Sequence, residues 1–108
     1  MKTIHTAKAP EAIGPYSQAI VHGGLLFTSG QIAINPASGQ VEADTIEGQT
    51  EQVMQNLAAL LEEAGASFDS VIKTTCFLSD MADFAAFNAI YGAYFVSKPA
   101  RCLLYTSM

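Results

Sequence analysis

VIKTTCFLSDMADFAAFNAIYGAYF, residues 71–95, joins a β-branched run to an aromatic helical one, and the joint decides the fold. Val71 to Leu78 reads as a strand, since branched side chains suit a pleated, half-buried surface. Asp80 then stands where an N-cap is expected, and Phe84, Phe87, Tyr91, Tyr94 and Phe95 form an aromatic side on the helix that follows. Pro99 is the predicted stop. Upstream, Asp44 and Glu47 have capping-box spacing, with aspartate in place of serine or threonine. Behind them Ile46, Val53, Met54, Leu57, Leu60, Leu61 and Ala64 make the stripe of a helix with one buried face, ended by Gly65. Both stripes read as core, because a helix packed on a sheet needs such a face to fold at all.

Working outward, Tyr16–Val21 and Leu25–Ile32 flank His22-Gly23-Gly24 and predict a hairpin. Thr3–Thr6 is a short first strand, Ala9-Pro10 and Gly14-Pro15 punctuate a loop, and Asn35–Gly39 is a loop by composition. A last strand candidate covers Cys102–Thr106. The order β-β-β-α-β-α-β predicts an α+β domain with two helices on one face of a sheet.

One domain of 108 residues can bury a single core unaided. Half of the residues are hydrophobic and 14% are charged, so an oligomer that hides apolar surface between subunits is expected. Net charge is −5 and the cations Lys2, Lys8, Lys73, Lys98 and Arg101 are scattered, which disfavours nucleic acid or an anionic membrane as partner. Cys76 and Cys102 form no CxxC, which fits a reducing compartment. With no apolar leader and no span-length stretch, the chain reads as soluble and cytoplasmic.

Chemistry is sparse. There is no metalloprotease helix motif, P-loop, dinucleotide fingerprint or Ser-His-Asp order. His5 and His22 read as solvated, and the carboxylates as caps and solvated helix faces. What remains is Tyr16 behind Gly14-Pro15, the Ser29-Gly30 pair, Asn88 and Arg101. Arg101 is the only arginine, and a guanidinium fork is the side chain best shaped to hold a carboxylate; a surface cation is the plain alternative. Asn88 gains nothing from helix propensity, so a hydrogen bond or an exposed face must account for it.

Taken in order, IGPYSQA, FTSGQI, the 71–95 stretch and PAR resemble the reactive intermediate deaminase family, also known as the YjgF or Rid proteins. The resemblance runs from about Thr3 to Arg101. It implies a chorismate-mutase-like α+β subunit with a mixed sheet, assembled as a homotrimer with active sites at the subunit boundaries. It implies hydrolysis of 2-iminobutanoate and 2-iminopropanoate to 2-oxo acids and ammonia, without metal or organic cofactor. By motif, Arg101 would grip the substrate carboxylate, while Tyr16, Asn88 and Ser29-Gly30 would line the pocket and orient substrate and water. The resemblance also admits a non-catalytic binding or chaperone-like member and, more weakly, a ribonuclease or translation inhibitor.

Residues 102–108 depart from the family pattern. Cys102 stands at a serine or threonine position, and a terminal strand bearing a water-handling glutamate has no counterpart. The expectation is therefore a domain over 1–101 followed by residues from read-through, a frameshift or a sequencing adapter, with lowered stability.

Overall fold

The computed structural model describes residues 1–105. Lys2–Ile4 (β1), Ala19–His22 (β2) and Leu25–Thr28 (β3) form an antiparallel sheet in the order β1-β2-β3. Ile34–Asn35 (β4) and Gln40–Val41 (β5) form a minimal hairpin, and Ile46–Glu63 is helix α1. Lys73–Leu78 (β6), Phe84–Tyr94 (α2) and Ala100–Tyr105 (β7) make a parallel strand–helix–strand unit. The α+β reading holds, with antiparallel and parallel pairing divided among three sheets within the described residues.

Helix α1 is backing to both main sheets. Its Leu60 is fully buried with Ile4, Ala9 and Ala19 under the first sheet. Its Met54 packs with Leu78, Phe87, Tyr91 and Phe95 beneath β6 and α2. Aromatic contacts bind the second cluster: Tyr91 stacks on Phe95 with centroids 4.4 Å apart, and Phe68 meets the Phe95 ring edge-on at 5.1 Å. No helix among the described residues is long and apolar enough to cross a membrane.

Several boundaries move. The N-cap of α1 is Thr45, whose hydroxyl accepts from the Gly48 amide, and not Asp44. The reason is steric as well as polar. A Cβ at Gly48 would lie 2.9 Å from the Ala43 Cβ, so the chain turns tightly where a Glu at that position would not fit. Gly65 does end the helix. With φ of +76° it donates to Glu62 O, while Ala66 donates to Leu61 O, the paired bonds of a Schellman ending. Asp80 caps a short 3-10 turn, Met81–Asp83, that leads into α2. Pro99 is not the immediate stop, because α2 ends at Tyr94 with Phe95 as its cap. Between them Lys98 adopts φ of 57°, and the reversal lets Ala100 donate to Ile72 O and start β7 beside β6.

The predicted hairpin is shorter than its apolar pattern. Strand β2 starts at Ala19 because Tyr16 is held in a tight turn, its amide donating to Gly14 O at 2.9 Å. Strand β3 ends at Thr28, after which the Ser29 amide makes one more bond, to Gln18 O, before the chain leaves the sheet. The composition-based loop at 35–39 is the turn of the β4–β5 hairpin, tightened by Gly39 at φ +72°. The last strand candidate falls in β7, and its Thr106 lies outside the described residues.

Candidate functional site

Parallel register places Thr74 beside Arg101, Cys76 beside Leu103 and Leu78 beside Tyr105, so these six share one face of the β6–β7 pair. That face looks toward α2. On α2, Phe84, Asn88 and Tyr91 are four and three residues apart and therefore fall on one side. The two patterns meet at Arg101. Its Nη1 donates to Asn88 Oδ1 at 2.6 Å, and its Cζ lies over the Tyr91 ring at 4.7 Å and the Phe84 ring at 5.7 Å.

This geometry fixes chemistry that the distances alone do not state. A guanidinium has only donors, so the Asn88 oxygen must be the atom facing it and the Asn88 NH2 must turn the other way. Among the described residues one of the five Arg101 donors is engaged, which leaves the fork open to them on an exposed side chain. The site therefore presents a positive, planar fork with an amide NH2 beside it. Such a surface suits a small carboxylate.

Cys76 shares this face and is half-buried. Burial pushes its thiol above the ordinary range, against the lowering pull of the Thr74 hydroxyl and the Arg101 charge. It is a packed thiol and not an activated nucleophile. Cys102 pairs with Thr75 and so projects to the opposite face from Arg101.

The other predicted residues form a second group at the start of β2 and the end of β3. Ser29 Oγ donates to Ser17 O at 2.6 Å, fastening the Ser29-Gly30 segment to the residue after Tyr16. Tyr16 is half exposed, and its hydroxyl accepts from the Ile13 amide at 3.3 Å. Two buried amides fasten the chain segments next to this group, residues 6–10 and 32–34. Gln18 accepts from the Thr6 amide and donates to the carbonyls of Thr6, Ala9 and Pro10. Asn56, on α1 and fully buried, donates to Ile32 O and Ile34 O and accepts from Gln52.

The structure brings Arg101 and Asn88 together, and ties Ser29-Gly30 to the residue after Tyr16. No hydrogen bond among the described residues joins the two groups. His5 is exposed and lies 3.0 Å from the Glu11 carboxylate, and His22 is exposed at the end of β2, so neither enters the site. Tyr91, Thr74, Gln18 and Asn56 were missed. The three-residue step from Asn88 could have pointed to Tyr91; nothing local marks the two amides.

A family model described as Endoribonuclease L-PSP matches residues 6–107. The Rid family protein YyfA of Yersinia pestis superposes with a TM-score of 0.95 at 44% identity, covering 98% of this chain and 86% of that one. The chain belongs to the Rid (YjgF/L-PSP) family. Its Rid relatives include Reactive Intermediate Deaminase A, chloroplastic, of Arabidopsis thaliana, 46% identical over 101 residues, 93% of this chain and 54% of that protein. Escherichia coli TdcF, solved with bound serine, matches with a TM-score of 0.92 at 37% identity over 99% of this chain and 87% of its own. Family membership supports a general imine deaminase role and a small-molecule ligand. Within the described residues no cluster of His, Cys, Asp and Glu could hold a metal ion.

Proposed function

We propose that this Rid protein hydrolyses short 2-imino acids, 2-iminobutanoate and 2-iminopropanoate, to the 2-oxo acid and ammonia. The observation that carries the reading is the Arg101 fork, backed by Asn88 and open to solvent. The imine carbon is already electrophilic. Water adds to it, the resulting carbinolamine expels ammonia, and the carbonyl of the 2-oxo acid remains. Such a reaction needs chiefly a fixed carboxylate, a placed water and hydrogen bonds to the nitrogen.

Arg101 would hold the carboxylate and Asn88 would donate to an oxygen beside it. Tyr16 and the Ser29-Gly30 segment would line the remaining wall and orient water. Because the Ser29 hydroxyl already donates to Ser17 O, it can offer a ligand only its lone pairs, which suits an N–H of the substrate. The two groups would complete one pocket across a subunit boundary of a homotrimer, with no metal or organic cofactor. Exposed apolar side chains such as Phe27, Phe77 and Leu104 are consistent with such an assembly.

The protein should accelerate release of 2-oxobutanoate when added to a threonine dehydratase and threonine. Arg101→Ala should remove that gain, a loss of about a hundredfold if two charge-assisted hydrogen bonds vanish. A gain that survives Arg101→Ala removes the anchor from the mechanism. The serine bound in TdcF favours a second reading, a binder of small carboxylates without turnover. Saturable binding of 2-oxobutanoate with no rate gain would select it. The ribonuclease named in the family description sits poorly on a chain of net charge −5, and steeply salt-dependent RNA binding would be needed to support it.

A further inference from the structure

We infer that Tyr91 is a positioning residue: it is the platform that sets the plane of the Arg101 guanidinium, and Thr74 ties that platform in place. The inference rests on reading Arg101 as the carboxylate anchor. Arg101 is exposed and its long side chain has many rotamers, yet a two-point grip on a carboxylate needs the fork in one plane. Asn88 fixes only one nitrogen, which leaves rotation about that contact. The ring of Tyr91, with Cζ over it at 4.7 Å, would remove it by attracting the cation to its face.

A platform must itself be rigid, and Tyr91 is held at three places. It is 7% exposed, its ring stacks on Phe95 at 4.4 Å, and its hydroxyl shares a 2.7 Å hydrogen bond with Thr74 Oγ1. Thr74 is also the register partner of Arg101. Adjacent strands therefore deliver both the cation and the pin that fixes the ring beneath it. With one face covered by Tyr91, a bulky group cannot stack on the cation from that side, which favours a small planar carboxylate meeting the edge of the fork.

The test uses 2-oxobutanoate as probe and reads its dissociation constant alongside the NMR signals of Arg101. In the unmodified protein, the Arg101 Nε–H and δ-methylene protons should be shifted upfield by the Tyr91 ring current. Tyr91→Leu should reduce that shift to the smaller part due to Phe84, 5.7 Å from Cζ, and weaken binding about tenfold. Tyr91→Phe, which keeps the ring, should retain the shift and lose about twofold. A merely structural tyrosine would leave no ring-current shift on Arg101 to lose or keep. If the unmodified protein lacks the ring-current shift, the platform is overturned even should Tyr91→Leu fail to fold. Equal binding by folded Tyr91→Leu and the unmodified protein also overturns it, while leaving the proposed function standing. If the shift is present but 2-oxobutanoate does not bind, the anchor reading of Arg101 fails and the platform geometry survives.

Discussion

Arg101, Asn88 and Tyr91 project from β7 and α2, whereas Tyr16, Ser29 and Gly30 lie on chain that has not yet entered β2 or has already left β3. The first group takes its orientation from the elements themselves: parallel register sets Arg101 beside Thr74, and helical spacing sets Asn88 beside Tyr91. The second group has no ladder of its own beyond the Ser29 amide bond. The segments that flank it are fastened by two buried amides, Gln18 on residues 6–10 and Asn56 on Ile32 and Ile34. One half of the candidate site is therefore as stable as the packing of α2. The other depends on a few polar contacts to loop carbonyls.

That contrast is broken most directly at Gln18. It is 3% exposed and serves four backbone groups, including those of Thr6 and Ala9, which are themselves buried. Gln18→Ala should lower the unfolding free energy by about 3 kcal/mol, since buried groups left without partners cost far more than an average hydrogen bond. Chemical denaturation would measure it. A loss under about 1 kcal/mol would show that water replaces the amide and that this half of the site holds itself.

Asn56→Ala should cost less, about 2 kcal/mol, although Asn56 is fully buried. Its acceptors Ile32 O and Ile34 O belong to partly or well exposed residues, so water can reach them once the amide is gone. The sharper readout is local. Amide exchange should quicken from Gly30 to Asn35 and stay unchanged in α2. Faster exchange in α2 would mean that the two halves are not independently held.

The same contrast explains what could be read from the sequence. The stripe of α1, its Gly65 ending, the β-branched strand β6 and the aromatic face of α2 all repeat with a period, and a period is visible in one dimension. Arg101 stands out as the only arginine, and Asn88 through the family resemblance of the 71–95 stretch. Tyr91 was hidden by its own pattern, since an aromatic on a core stripe looks complete without a second task. Gln18 and Asn56 left no trace, because a glutamine beside a strand and an asparagine in a helix resemble solvated residues until the carbonyls they serve are placed around them. The cap moved by one residue, from Asp44 to Thr45, because both types can accept from helix amides and it is the Thr45 hydroxyl that the Gly48 amide meets.

A smaller effect should follow at the pin under Arg101. Thr74→Val keeps the branched shape and removes the hydroxyl partner of Tyr91. The expected loss is about 1 kcal/mol, the net worth of one hydrogen bond whose remaining hydroxyl can reach water. An unchanged stability with weakened 2-oxobutanoate binding would assign the bond to orientation of the ring and not to folding.

The smallest effect concerns α1, the backing shared by both halves. Through Asn56 it holds the segment just after the second group, at Ile32 and Ile34, and through Glu51 it holds α2, because the Tyr94 hydroxyl donates to the Glu51 carboxylate. That hydrogen bond raises the Tyr94 phenol above its ordinary range, aided by slight burial and by the Glu51 charge. A phenol that keeps its proton longer when folded adds stability that is complete below the unfolded value, near pH 10, and is lost as pH rises toward the folded value. Unfolding curves should therefore shift to lower denaturant above about pH 10, and Tyr94→Phe should flatten that part of the profile. The Asn56 link contains no titrating group, so exchange from Gly30 to Asn35 should not follow this alkaline loosening. If both segments loosen together with pH, α1 transmits the change and the two halves are coupled through it.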